Sequence, residues 1–149
     1  MSQSGVAIPI TRDDEYAISV AKTEYREAYN TGDVDRLVAV FAPQYVDWSE
    51  GEASFYADEA PRALRLRAKE LFQRFHVELT IMMVRVTVMG NTASDRGWHK
   101  VRLRDKATGE ETFTVYRYFE SWVKQNGAWK INFIISNKEM PPRLLPEEK

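Results

Sequence analysis

Tyr25–Glu52 reads YREAYNTGDVDRLVAVFAPQYVDWSEGE, and the punctuation in this stretch organises the chain on either side of it. Tyr25, Ala28 and Tyr29 end an amphipathic helix. Asn30-Thr31-Gly32 stops it, with Gly32 suited to the left-handed conformation that closes helices. Asp33 can cap a short second helix, Val34–Phe41, with Leu37, Val38 and Phe41 on one side. Pro43 cannot continue that helix. Tyr45–Ser49 alternates as a short strand that delivers Asp47 and Trp48, and Glu50-Gly51-Glu52 turns the chain away.

Upstream, Thr11 with Asp13 and Asp14 forms a helix start, because acids in the first turn suit the helix dipole. Tyr16, Ala17, Val20, Ala21, Glu24, Tyr25, Ala28 and Tyr29 recur at three- and four-residue spacing, which predicts a helix of about five turns. Downstream, Ser54–Asp58 is a connector to a third helix, Ala60–Phe75, with Pro61 in its first turn. Its apolar side is Leu64, Leu71, Phe72 and Phe75; Arg62, Arg65, Arg67, Lys69 and Arg74 read as its solvated face. From His76 the period becomes that of strands: His76–Met89, Thr92–Arg104, Thr112–Lys124 and Ala128–Asn137. Gly90-Asn91, Asp105–Gly109 and Asn126-Gly127 separate them, so successive strands pair as an antiparallel meander. The order α-α-β-α-β-β-β-β is an α+β pattern with helices on one face of a curved sheet.

A chain of 149 residues is the size of one domain and can bury its own core. A net charge of −1 with no basic run argues against a nucleic-acid partner. The absence of cysteine excludes disulfides, thiolate catalysis and Cys-ligated metal, and fits a cytoplasmic protein. The N-terminus lacks the pattern of a signal peptide, and no apolar run is long enough for a membrane helix. The two histidines are far apart and the glycines scattered, so no metal site, phosphate loop or other cofactor is expected. Residues 1–10 read as a flexible arm, 11–138 as one domain and 139–149 as a tail.

Three segments, AYNTGDVDRLVAVFA at Ala28–Ala42, VTVMGNTA at Val86–Ala93 and YFESWVKQNGAWKI at Tyr118–Ile131, together with the element order, carry a resemblance to the nuclear transport factor 2-like superfamily. The likeness spans the chain from about Asp13 to Asn137. It is similar above all to the SnoaL-like and ketosteroid-isomerase-like group of small bacterial proteins. The resemblance implies a cystatin-like cone whose three N-terminal helices pack on a curved antiparallel sheet. It implies no single reaction, because one scaffold carries isomerases, cyclases, a dehydratase, an epoxide hydrolase and transport factors. Against the isomerase pattern, the oxyanion tyrosine falls on Tyr25. The base falls on Ser49, two residues past Asp47 and on the same strand face. The second oxyanion donor falls on Ser121, where a protonated Asp is missing.

The candidate catalytic residues are therefore Asp47, His99 and Tyr25. A carboxylate in the middle of a short strand is a general base or polar anchor if it faces a pocket, and a rim residue if it does not. His99 shares a face with Gly97, Val101 and Leu103; it either moves protons or is a core histidine. Trp48, Phe41, Arg117, Phe119, Ser121, Phe133 and Ile135 are the candidate ligand-binding wall. An inward Arg117 would pair with Asp47 or take a carboxylate. The opposite face of that strand carries Tyr116, Tyr118, Glu120 and Trp122, with Trp98 from the preceding strand. These aromatics read as a homodimer interface through the sheet face, unless one bulge reverses the parity and makes them the pocket wall. Two functions follow: a cone that binds a small hydrophobic, carbonyl-bearing molecule, or an isomerase, cyclase or dehydratase with Asp47 as base and Tyr25 or His99 polarising the substrate oxygen.

Overall fold

The structure, a computed structural model, describes residues 11–140 and Pro146. The expected arm (1–10), nearly all of the tail beyond Met140, and the Thr11 side chain lie outside the described residues. Three helices, α1 (Thr11–Thr31), α2 (Val34–Ala39) and α3 (Glu59–Arg74), combine with five strands, β1 (Phe41–Asp47), β2 (Phe75–Met89), β3 (Thr92–Asp105), β4 (Glu111–Gln125) and β5 (Ala128–Lys138). The sheet order is β1-β5-β4-β3-β2. β1 runs parallel to β5, and the other neighbours are antiparallel. This is the α+β cone expected from the sequence. No helix among the described residues is long and apolar enough to cross a membrane.

The organising stretch folds much as read. Gly32 adopts φ +68°, and the Asp33 N–H donates to the Ala28 carbonyl at 2.9 Å. Asp33 then caps α2 by accepting from the Arg36 N–H at 3.1 Å. The second helix ends sooner than expected, at Ala39, and Phe41 already belongs to β1. Pro43 sits inside β1, where the register shifts between Phe41 and Val46. That position is allowed because β1 is an edge strand and the irregularity removes the need for a Pro N–H. Asn30 staples α1 to β2: its Oδ1 accepts from the Leu79 N–H at 2.6 Å and its Nδ2 donates to the Leu79 carbonyl at 3.4 Å.

The buried face of α1 is Ile18, Lys22, Tyr25 and Ala28, a line of three- and four-residue steps. Tyr16 and Val20, counted in the apolar stripe from sequence, are exposed. A lysine therefore lies inside, 3% exposed.

Strand parity corrects several expectations. The connection after β3 pairs Arg104 with Glu111, so His99 lies opposite Tyr116, Trp98 opposite Arg117 and Asp95 opposite Glu120. A one-residue difference in that register moves every side chain to the other face. Tyr116, Tyr118, Glu120 and Trp122 thus turn inward beside His99, and Tyr118 and Trp122 are buried in the core. Tyr118 and Trp122, expected at a subunit interface, are therefore spent within the chain's own core. Trp98 lies on the outer face, where its Nε1 donates to Glu139. Arg117, Phe119 and Ser121 also lie on the outer face; Arg117 and Phe119 are exposed, and the Ser121 hydroxyl donates to Asn132. Phe133 and Ile135 follow them outward, because they pair with Ser121 and Phe119.

Gly97 marks a second irregularity. It lies opposite the shift between Met83 and Arg85, where the β2 backbone approaches so closely that an added Cβ would sit 1.9 Å from the Met82 carbonyl oxygen. Neither backbone can move without breaking the ladder. Gly97→Ala should cost roughly 3 kcal/mol, read as a fall in Tm of about 10 °C; an unchanged Tm would show that the shift is not rigid.

Candidate functional site

The cone opens between α1, α3, β1 and the inner sheet face. Two adjoining cavities occupy it. One, of ≈ 400 Å³, lies under α3 and is walled by Phe41, Leu64, Arg67 and Leu71 among others. The second, of ≈ 290 Å³, runs along the sheet past Leu79, His99, Val101, Leu103 and Tyr116. Both are bounded by Tyr25, Tyr29, Asp47, Glu52, Leu71 and Ile134. Such volumes suit a small ligand.

Asp47, Tyr25 and His99, picked from sequence on separate arguments, all line the second cavity. Asp47 stands at the end of β1, its side chain 18% exposed. One of its oxygens accepts from the Ser49 N–H at 2.8 Å, and the other lies 3.5 Å from the Arg67 guanidinium. Arg67 also holds Glu52 at 3.0 Å. The arginine opposite Asp47 is therefore Arg67 of α3, read from sequence as solvated, and not Arg117.

Phe41 belongs to the wall, its ring 6.1 Å from Tyr25 and 4.7 Å from Tyr45. The other expected wall residues do not. Trp48 packs edge-on against Phe133 at 5.4 Å and is 55% exposed; neither lines the cavities. Arg117, Phe119, Ser121 and Ile135 are likewise turned away. Their places are taken by Tyr29, Leu71, Tyr116, Ile134 and Ser136.

Beneath the cavity lies a buried polar cluster that periodicity did not reveal. Lys22 donates to Glu120 at 2.6 Å, and the two side chains are 3% and 0% exposed. Asp95, 1% exposed, accepts from the Tyr118 hydroxyl and from the Trp122 Nε1 at 2.6 Å. Glu120 Oε2 has no donor. Asp95 and Glu120 are directly paired across β3 and β4 and point the same way, which brings their carboxyls together. Burial pushes Glu120 well above the usual carboxylate range, against the pull of Lys22 and with the charge of Asp95 adding to it. One cation serves two carboxyls, which favours a proton on the pair, and Glu120 is the member whose neutral form burial favours.

His99 rests on this floor. Its ring stacks 4.1 Å from Tyr118 and 5.5 Å from Tyr25. Burial, with the nearby Lys22 charge, holds its pKa well below the usual histidine range. The imidazole is neutral at neutral pH, and its Nε2 has no hydrogen-bond partner among the described residues. Burial likewise pushes the Tyr25 phenol well above its usual range, so it remains an O–H donor. Among the described residues no group of three His, Asp or Glu side chains is arranged to hold a metal ion.

With this geometry in view, comparison with known proteins gives the family. The model of the SnoaL-like domain matches residues 11–134, and the chain belongs to that family. Its solved structural neighbours include a conserved protein from Planctomyces limnophilus (TM-score 0.75, 16% identity, covering 86% of this chain and 99% of that one). A ketosteroid isomerase-like protein from Erwinia carotovora atroseptica is similar at TM-score 0.72 and 20% identity, over 85% and 96% of the two chains. The hexachlorocyclohexane dehydrochlorinase LinA-type3 from Novosphingobium barchaimii follows at TM-score 0.71 and 12% identity, over 91% and 97%. Such identities carry the fold alone. No curated protein matches the sequence.

The buried carboxyl pair makes a direct prediction. Glu120 in the folded state binds its proton more tightly than in the unfolded chain. Its stabilising contribution is therefore complete below about pH 4.5 and is lost as pH rises through the raised folded value. Glu120→Gln keeps an acceptor for Lys22 and a donor for Asp95, and should gain on the wild type in thermal melts as pH is raised. Glu120→Ala leaves Lys22 unpaired and should cost about 3–5 kcal/mol. Equal losses for Gln and Ala at every pH would show that Glu120 is ionised.

Proposed function

We propose that the cone receives a small, largely apolar, oxygen-bearing molecule, with its polar end against Tyr25 and His99. The supporting observation is the meeting of Tyr25, His99 and Asp47 on one cavity whose other walls include Leu71, Val77, Leu79, Val101, Leu103 and Ile134. An apolar wall with few convergent polar groups selects for this kind of ligand. Asp47, Glu50 and Glu52 border the same cavity, which disfavours an anion. Titration calorimetry with a panel of neutral cyclic ketones and phenols tests the reading. At least one should bind, and Leu71→Trp, which fills the cavity, should weaken it by tenfold or more. Binding unaffected by Leu71→Trp would place the ligand elsewhere.

A second reading, catalysis by proton transfer, is favoured by a buried neutral imidazole on the same cavity wall as the Asp47 carboxylate. A neutral imidazole can polarise a carbonyl by donating a hydrogen bond without surrendering its proton. Here Asp47 takes a proton from the carbon beside the carbonyl, while Tyr25 and His99 donate to the oxygen as charge builds on it. Asp47 then returns the proton to another carbon, for isomerisation, or to a departing hydroxyl, for dehydration. Conversion of cyclohex-3-enone to the conjugated enone, followed by ultraviolet absorbance, offers a probe. Asp47→Asn should lower the rate by about 10²–10⁴, and Tyr25→Phe should lower it with little change in binding. His99 must stay neutral to donate without charge, so the rate should hold through neutral pH and fall only well below the ordinary histidine range of about 6.5. An Asp47→Asn protein as active as wild type ends the catalytic reading.

The outer sheet face supports a second copy of the chain as partner, through residues other than those first expected. Met82, Val84, Phe113 and Phe119 are exposed there or at its edge, and exposed apolar side chains on one face mark an interaction surface. Light scattering should give a dimer at micromolar concentration and a monomer for Phe119→Glu; a wild-type monomer removes the partner.

A further inference from the structure

Lys22 is the least expected residue near the cavity, since a lysine on the buried stripe of α1 has to be held there by something. Its ammonium meets three groups. Glu120 accepts from it at 2.6 Å. The ring centroids of Tyr25 and Tyr118 each lie 4.3 Å from Nζ. Those same two rings stack on His99, at 5.5 and 4.1 Å, with interplanar angles of 26° and 12°. One cation thus bridges the two aromatic neighbours of one imidazole. Cation–π attraction is strongest where water is excluded, and every member here is buried.

We infer that Lys22 is a positioning residue: anchored by Glu120, its ammonium ties the Tyr25 and Tyr118 rings about His99 and so fixes the imidazole in the cavity wall. The tie is geometric, because loss of the cation removes a group that touches both rings and the acid below them. It is also electrostatic, because a fixed positive charge beside the ring opposes a second one. The other ionisable groups around His99 are few. From α1 they are Tyr25 and Tyr29, from β4 Tyr116, Tyr118 and Glu120, from β3 itself Asp95, and from β1 Asp47. The tyrosines Tyr25, Tyr29 and Tyr118 are held neutral by burial. Asp95 is occupied by Tyr118 and Trp122, and Glu120 carries the proton of the pair. Lys22 is the one cation among them.

The role rests on His99 serving as a donor in the proposed site, but it can be tested in ligand-free protein without any assay of activity. His99 ring resonances, followed by NMR across pH, report both the protonation midpoint and the ring-current shift from the stacked tyrosines. In wild type the midpoint should lie well below the ordinary histidine value of about 6.5. In Lys22→Met it should rise by about one unit, and the ring-current shift should shrink. Lys22→Arg keeps the charge and should keep the low midpoint. Where Lys22→Met is too unstable to fold, Lys22→Met/Glu120→Gln removes the orphaned acid as well and should show the same rise. A folded Lys22→Met, or the double variant, with midpoint and ring shifts unchanged overturns the proposal. So does a Lys22→Arg protein whose midpoint rises as far as that of Lys22→Met. Failure of the cyclohex-3-enone assay with these NMR results intact would discard the catalytic reading and leave the positioning role.

Discussion

The contact between Lys22 and Glu120 is the constraint on which the arrangement of this cone depends. Each side chain is almost wholly excluded from water, and removing an ion from water costs several kcal/mol that pairing must repay. The pair is consequently a weak source of net stability and a strong source of specificity. Lys22 on the inner side of α1 tolerates only an acceptor beneath it. Of the two faces of β4, one offers Glu120 there and the other offers Phe119 and Ser121. A slip of one residue would leave the ammonium over an apolar ring with no carboxyl to accept from it. Burial of the wrong face is thereby penalised by an unpaired buried ammonium.

That choice of face also explains the character of the site. Turning Tyr116, Tyr118, Glu120 and Trp122 inward lines the floor with polar aromatics and acid, and turns Phe113 and Phe119 out. The cavity is polar where it is deepest and apolar along its sides. The inside holds His99 and Tyr25 on the cavity wall. The outside is left with exposed Phe113 and Phe119 among exposed arginines such as Arg102 and Arg117. Both properties come from one register, set where Arg104 pairs with Glu111 across the connection between β3 and β4.

Sequence reading reached the elements because they are bounded by residues with local physics. Gly32 needs its positive φ, Asp33 needs a helix N-terminus, and Asn126-Gly127 needs a two-residue hairpin. Asp47, Tyr25 and His99 were legible because each is a polar residue in a segment whose period places it inward. What escaped was long-range. Parity of β4 depends on a loop register that hydropathy cannot fix. The more hydrophobic stripe, Phe113, Val115 and Phe119, looks like the core until Lys22 is known to require an acceptor. Lys22 itself is hidden because periodic reading assigns a lysine to water, and Arg67 is hidden for the same reason. The misplacement of Arg117, Ser121, Phe133 and Ile135 follows from that single inversion. Trp48 went astray separately, at the end of β1.

Two polar groups on this cavity differ in how much of their capacity is already used, and the difference orders their roles. Asp47 is occupied on one oxygen by the Ser49 N–H and faced on the other by Arg67 at a long 3.5 Å. It sits at the mouth, where water can carry a proton in or out. His99 is deep, stacked and neutral. A group that must exchange protons with solvent belongs at the mouth, and a group that must donate without becoming charged belongs on a dry floor beside a fixed cation. The sequence separates Asp47 and His99 by 52 positions (residues 47 and 99). The fold sets them on one cavity, although β5 and β4 lie between their strands in the sheet.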